Sequence, residues 1–260
     1  MKLSLNTLYV VSTPIGNLDD ITLRAIEVLK NSDIILCEDT RRSIKLLNHL
    51  NIKKKLISFH KFNEQKKLDS IIEHINQGKI LSLISDAGTP VLSDPGLALI
   101  SKCIKKLINV IPIPGVSSIT AAMSISGFKD QFLFYGFLPK KQGELEKVLS
   151  NLSKMPCPQI FFVTAVKINF YLSAIKKFYG GRKLLIAREI SKIHETFYRD
   201  EIDNLKSFKK PLKGEITLVI SEEFEKRSVI DEKKIVNKAK KFLKKYSLKD
   251  TVDLISEAEE

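Results

Sequence analysis

The sequence predicts an α/β protein of two parts: a mostly parallel sheet with helices on both faces over residues 1–127, then a mixed α/β part over residues 128–222. Three observations lead there. In the first half, five short runs rich in Val, Ile and Leu alternate with segments whose apolar residues recur at helical spacing. That order builds a parallel sheet with right-handed crossovers. The runs are continuously apolar rather than alternating, as in strands buried on both faces. After Gly127 the order changes, and two strand-like runs follow each other with too little chain between them for a helical crossover, which implies an antiparallel pair.

In chain order, the first strand is Leu8 to Val11. Asp20 is placed to cap a helix whose Ile21, Ala25, Ile26 and Leu29 share a face and which Asn31 closes. Ile34 to Cys37 and Leu56 to Phe59 are the second and third strands. A helix with Leu68, Ile71, Ile72 and Ile75 in one stripe follows and ends at Gly78. Ile80 to Ile84 is the fourth strand, Leu97, Ile100, Ile104 and Leu107 form the stripe of the next helix, and Val110 to Ile113 is the fifth strand. The small residues Ser124 to Gly127 mark a boundary. Beyond it, Phe132 to Tyr135, Ile160 to Thr164, Leu184 to Arg188, Glu195 to Tyr198 and Glu215 to Ile220 read as strands, the third and fourth being the closely spaced pair. Residues 223–260 form a lysine-rich helical extension, with a helix over Asp231 to Tyr246.

At roughly 150 residues per domain, 260 residues make one large domain or two modest ones, and 43% hydrophobic with 28% charged residues argues against disorder. No apolar run approaches the roughly 18–20 residues needed to span a bilayer, and the N-terminus passes straight into a strand. Neither a membrane protein nor an exported one is expected. Cys37, Cys103 and Cys157 are odd in number and far apart, fitting neither a disulfide framework nor a zinc site, so a reducing cytoplasm is the expected home. His49, His60, His74 and His194 lack ligand spacing, and no metal is expected. The net charge of +13 comes from 36 lysines and only 7 arginines against 30 acids. Taken alone it is evenly balanced between a solvated lysine-rich surface and an anionic partner, of which nucleic acid is the leading candidate.

Ligands of open parallel sheets bind beyond the carboxyl ends of the strands. Three loops there share one make-up: Ser12-Thr13-Pro14-Ile15-Gly16-Asn17 after the first strand, Ser85-Asp86-Ala87-Gly88-Thr89-Pro90 running on to Ser93-Asp94-Pro95-Gly96 after the fourth, and Pro114-Gly115-Val116-Ser117-Ser118 after the fifth. Each joins a glycine, a stiffening proline and hydrogen-bonding side chains. Any one would be an ordinary turn; three on one edge point to a nucleoside-containing ligand. A phosphate-cradling G-x-x-x-x-G-K-[S/T] is absent, as is G-x-G-x-x-G after the first strand. Asp39 ends the second strand where a dinucleotide fold would hold a ribose, a weak match without the glycines. That strand runs into Glu38-Asp39-Thr40-Arg41-Arg42-Ser43, where Arg can fork onto phosphate and a carboxylate can orient a hydroxyl; a surface ion-pair turn is the competing reading. Arg188 to Glu195 is a similar cluster whose bland alternative is a solvated connection.

Thr13 to Leu18, Glu38-Asp39-Thr40-Arg41, Ser85 to Pro90 with Ser93 to Gly96, Pro114 to Ser118, Gly136-Phe137-Leu138-Pro139, and Arg188-Glu189 with Lys192 and His194-Glu195 together resemble, in order, the ribosomal RNA small subunit methyltransferase I family. These are class III methyltransferases of the tetrapyrrole-methylase type, and the resemblance runs from the first strand to Gly214-Glu215. It implies a homodimeric cytoplasmic enzyme with S-adenosylmethionine in a cleft between two α/β domains. The methyl would go to the ribose 2′-oxygen of a cytidine in the decoding region of 16S rRNA in the small ribosomal subunit. Carried over, cofactor contacts fall on Pro14, Ile15 and Gly16, on Asp86, Gly88 and Thr89, and on Ser117 and Ser118, with Asp86 accepting from the cofactor's amino group or ribose. Aligning donor and acceptor supplies much of the rate, and a ribose hydroxyl, a poor nucleophile, gains from a nearby base or cation. Glu38, Asp39, Arg41 and Asp94 are the catalytic candidates, none singled out as the base. Arg41, Arg42, Lys140, Lys141, Arg188 and Lys192 are candidates to position RNA.

Where the resemblance calls for an aromatic-Glu-Ser-Pro-His-Arg segment, this chain has Phe162-Val163-Thr164-Ala165-Val166-Lys167. Two other functions stay open at this point. A methylase of tetrapyrrole precursors shares the fold, though the Arg-bearing turn after the second strand speaks against it. A non-catalytic rRNA-binding or assembly factor is motivated by the altered segment at 163–167.

Overall fold

The computed structural model describes residues 3–223 and 232–257, and the chain divides into two compact units, Met1–Glu222 and Glu223–Glu260. The first unit opens with β1 (Thr7–Val11), α1 (Leu23–Asn31), β2 (Ile34–Cys37), α2 (Thr40–His49), β3 (Lys55–Ser58), α3 (Glu64–Asn76), β4 (Leu81–Leu83), α4 (Leu97–Lys105) and β5 (Asn109–Ile113). These strands form a parallel sheet in the order β3-β2-β4-β1-β5, with Leu8 opposite Leu81 and Val11 opposite Ile113. On one face α1 and α2 bring Ala25, Val28, Leu29 and Leu47 against Tyr9, Val11 and Ile35. On the other, Leu68, Ile71, Ile72 and Ile75 of α3, with Leu99 and Cys103 of α4, cover Leu8, Leu36 and Leu83. Covering both faces is what makes the strands continuously apolar.

Two local expectations are corrected. The first helix begins at Leu23, not after Asp20: Thr22 Oγ1 accepts from the Ala25 amide at 3.1 Å, while Asp20 lies in a short 3₁₀ turn led by Asn17. In α4 the buried stripe is Leu99 and Cys103; of the expected stripe Ile100 packs partly buried against the core, while Leu97, Ile104 and, past the helix end, Leu107 are exposed. This helix carries apolar residues on more than one face, so spacing alone admits either stripe. The choice is made by α3, whose Glu64 carboxylate accepts from the amides of Ala98 (3.0 Å) and Leu99 (3.4 Å) and fixes how α4 enters.

The unit continues with α5 (Ser118–Ser124), β6 (Leu133–Phe137), α6 (Gln142–Leu152), β7 (Gln159–Thr164), α7 (Ile168–Phe178), β8 (Lys183–Arg188), β9 (Thr196–Glu201) and β10 (Glu215–Ile220). Its sheet, in the order β6-β7-β10-β8-β9, is mixed: β6 and β7 are parallel, and the expected antiparallel pair is β8 with β9. Leu145 and Leu149 of α6 and Tyr171, Leu172 and Ile175 of α7 pack on one face. The other face receives Ile119 and Ala122 of α5 against Ile160, Leu185 and Val219. The helix leaving the first sheet thus belongs to the packing of the second.

In the second unit, α8 spans Glu232–Phe242 and α9 spans Leu248–Glu257. Asp231, the expected start of α8, lies outside the described residues. Among the described residues no helix is long and apolar enough to cross a membrane.

Candidate active site

Because β4, β1 and β5 are neighbours, the three Gly- and Pro-bearing loops converge beyond their carboxyl ends. They are stitched by hydrogen bonds. Thr13 and Gly88 exchange backbone bonds at 2.9 and 3.0 Å, and Thr13 Oγ1 donates to the Ser85 carbonyl at 3.2 Å. Thr89 donates its hydroxyl hydrogen to the Val116 carbonyl (3.3 Å), so across the 3.0 Å contact it accepts from Ser12. Against this edge lies a cavity of about 360 Å³. One wall is built by Ile15, Asp86, Gly88, Thr89, Ser117 and Ser118, the other by Phe137, Phe162, Ala187 and Ile216 of the second sheet with Ile190 just beyond β8.

Two acidic residues of the cavity lining, Asp86 and Asp94, come from the loop after β4, and Glu38 and Asp39 at the end of β2 neighbour them without lining it. Asp86 accepts from the Asp39 amide at 3.0 Å and faces Arg42 Nε at 3.5 Å. Asp94 also lines the cavity. Burial, reinforced by the charges of Glu38 and Asp86, pushes its carboxyl up to about 6, against the opposing hydrogen bond of Ser85. Glu38 is raised as well, by burial and then by Asp86. The loop delivering Asp94 holds Val91 and Ser93 in the left-handed region, at φ 76° and 73°. Such conformations cost about 1–2 kcal/mol each for side-chain-bearing residues and cluster where function over-determines the backbone.

Asp39 and Arg41 behave differently. Asp39 caps α2 by accepting from the Arg41 amide, and the Arg41 guanidinium grips both its oxygens at 3.0 and 2.7 Å. The Arg41 hydrogen bonds hold the Asp39 carboxyl down at about 2. Neither side chain lines the cavity, nor does Glu38, whereas Arg42 does.

The two walls meet at Gly16. A Cβ there would collide with Lys192 Cγ and lie 2.9 Å from the Ile190 carbonyl oxygen, so only glycine allows this approach. Next to it the Asn17 amide donates to Ser191 Oγ at 3.0 Å. Lys192 is held by Glu189 (2.9 Å) and Glu215 (3.1 Å), and Arg188 donates to the carbonyls of Lys213 and His194. These two cations brace the strand ends, while Lys140 and Lys141 are exposed at the start of α6. Pro14 and Gly16 shape the first loop without lining the cavity; Ile15 lines it.

Sequence reasoning missed the apolar wall: Phe137, Phe162, Ala187, Ile190 and Ile216 have no polar signature, and only their position at the strand ends of the second sheet brings them here. Phe162, Val163 and Thr164 of the altered segment line the cavity too. The combination fits S-adenosylmethionine. Phe162, Ala187, Ile190 and Ile216 offer an apolar surface to adenine, and Asp86 offers an acceptor to ribose or ammonium. Ser117 lines the cavity and its side chain makes no helix-capping bond, and Gly88 (φ 81°) lines it without a side chain, its amide and carbonyl tied to Thr13.

Residues 7–206 match the family of Tetrapyrrole (Corrin/Porphyrin) Methylases. The ribosomal RNA small subunit methyltransferase I of Mesomycoplasma conjunctivae is 45% identical over 221 residues, covering 84% of this chain and 92% of the relative. That of Rickettsia prowazekii is 46% identical over 217 residues, covering 82% and 78%. Among solved structures, uroporphyrin-III C-methyl transferase from Thermus thermophilus complexed with S-adenyl homocysteine shares the fold, with a TM-score of 0.58 at 14% identity over 83% of this chain and 97% of that one. With close relatives matched over most of both chains, this chain belongs to the ribosomal RNA small subunit methyltransferase I family, whose members are S-adenosylmethionine-dependent methyltransferases.

Proposed function

We propose that the chain methylates the ribose 2′-oxygen of a cytidine in the decoding region of 16S rRNA, acting as a cytoplasmic homodimer on the small ribosomal subunit. The observation that carries this reading is the cavity itself: one wall suited to the cofactor, and beside it a partly buried carboxylate, Asp94, pushed up to about 6 by burial. The names of the relatives support the RNA substrate. In this reading residues 1–127 and 128–222 are two α/β domains, and the cavity is their cleft.

Bound there, S-adenosylmethionine supplies an electrophilic methyl on a positively charged sulfur. The remaining work falls to the chain. Asp86, braced by the Asp39 amide and Arg42, orients the donor, while the three tied loops hold it without further reorganisation. Asp94 is the general base: its carboxylate takes the 2′-hydroxyl proton as that oxygen becomes a nucleophile, and a value near 6 leaves it ionised yet basic at neutral pH. Arg42 and the exposed Lys140 and Lys141 meet backbone phosphates. Arg41 sits outside the cavity with a face open to solvent and serves the same positioning role.

The test offers isotopically labelled S-adenosylmethionine with small ribosomal subunits, naked 16S rRNA, or a tetrapyrrole precursor. Label entering the RNA is expected. Label entering only the tetrapyrrole would replace this reading with the tetrapyrrole one, and absence of cofactor binding in calorimetry would favour an assembly factor.

A further inference from the structure

The apolar wall of the cavity has one exposed member. Phe137, the last residue of β6, lines it yet remains 61% exposed. Single exposed apolar side chains are ordinary on a protein surface; this one is set apart by its place in the cavity lining. The ring is supported from beneath: Phe162 packs edge-on to it, with centroids 5.2 Å apart and planes at 61°. It is also aimed. The register of β6 on β7 shifts between Phe134 and Gly136, a bulge of the kind that redirects a strand end. Gly136 passes so close to the strained loop that a Cβ there would lie 3.1 Å from Ser93 Oγ, the neighbour of Asp94. Bulge and strained turn therefore bring an exposed aromatic ring and the proposed base to one rim. Three residues beyond Phe137 the chain reaches the exposed pair Lys140 and Lys141.

We propose that Phe137 is the stacking platform for the target nucleobase. A pyrimidine turned out of the RNA lies on the Phe137 ring, its ribose falls toward Asp94, and the adjoining phosphate meets Lys140 or Lys141. Recognition of unstacked bases by aromatic side chains is the usual way single-stranded RNA is read. Stacking is indifferent to base identity, so Phe137 positions the nucleotide and does not by itself choose cytosine. This assignment rests on the RNA methyltransferase reading above.

The test compares Phe137→Ala, Phe137→Leu and Phe137→Tyr with wild type on three readouts: S-adenosylmethionine affinity by calorimetry, kcat/KM for methyl transfer to small subunits, and quenching of a fluorescent cytidine analogue at the target position of an RNA oligonucleotide. Expected are cofactor affinities within about twofold of wild type for all three variants. Phe137→Ala and Phe137→Leu lose roughly 10- to 100-fold in kcat/KM together with the quenching, and Phe137→Tyr recovers both. Leucine matching wild type would reduce the residue to apolar packing, and a tenfold loss of cofactor affinity in Phe137→Ala would assign the ring to the cofactor; either overturns the proposal. Wild-type protein that transfers no methyl to RNA defeats the function reading and this one with it. Wild-type activity alongside an unimpaired Phe137→Ala defeats this one alone.

Discussion

Replacing Asp94 by asparagine keeps the side chain's shape and removes its charge, and the site geometry assigns that change opposite effects on stability and activity. The carboxyl is raised from the ordinary 3.8 to about 6, first by burial and then by Glu38 and Asp86. That difference corresponds to about 3 kcal/mol of cost for the ionised form in the folded protein. Solvent reaches Asp94, and screening reduces the cost to roughly 1–2 kcal/mol. Because the folded value is the higher one, the penalty is absent below about pH 4, grows as pH rises toward 6, and is complete above it. Asp94→Asn is therefore expected to melt about 2–8 °C above wild type at pH 7.5 and to converge with it near pH 4. Activity moves the other way. Wild-type transfer at limiting RNA rises about tenfold from pH 5 to 7 as the base ionises, while the variant falls by roughly 10²–10⁴ and loses that dependence. Thermal melts across pH with single-turnover methylation check both halves. A variant that melts at or below wild type throughout, or keeps activity within tenfold, refutes the assignment.

Asp86→Ala removes the acceptor of the Asp39 amide, the partner of Arg42 and the proposed contact to the cofactor; calorimetry should find S-adenosylmethionine affinity lost by about 100-fold, on the order expected for a partly buried charge-assisted contact. Arg41→Ala should leave that affinity unchanged, because Arg41 is 87% exposed and outside the cavity, and should lower RNA methylation; equal losses in both assays would contradict the division. Gly16→Ala drives a methyl into Lys192 and the Ile190 carbonyl, and a loss of about 1–3 kcal/mol in denaturant titration is expected. Gly143→Ala, in α6 with open space around the added carbon, should gain roughly 0.5–1 kcal/mol in the same assay.

The first sheet was legible because burial on both faces leaves an unmistakable mark: β1 (Thr-Leu-Tyr-Val-Val) and β2 (Ile-Ile-Leu-Cys) are almost wholly apolar. α4 was not, since Leu97, Ile100 and Ile104 are as periodic as Leu99 and Cys103, and the entry of the helix is set by a carboxylate distant in sequence, Glu64. The three loops that border the cavity could be found from composition, because glycine, proline and hydroxyls serve each loop locally. The facing wall could not, because Phe162, Ala187 and Ile216 look like any other strand residues until β7, β8 and β10 are placed side by side. Nor could spacing separate neighbours in the turn after β2: the cap geometry gives Arg41 to Asp39 and leaves Arg42 for Asp86.

The central claim is a position on one nucleotide, and mass spectrometry can read it. Small subunits methylated by the purified protein, digested to nucleosides and to mapped oligonucleotides, should yield 2′-O-methylcytidine from the decoding region of 16S rRNA. A methyl on a base nitrogen or carbon, or on a ribose elsewhere in the RNA, would contradict the account.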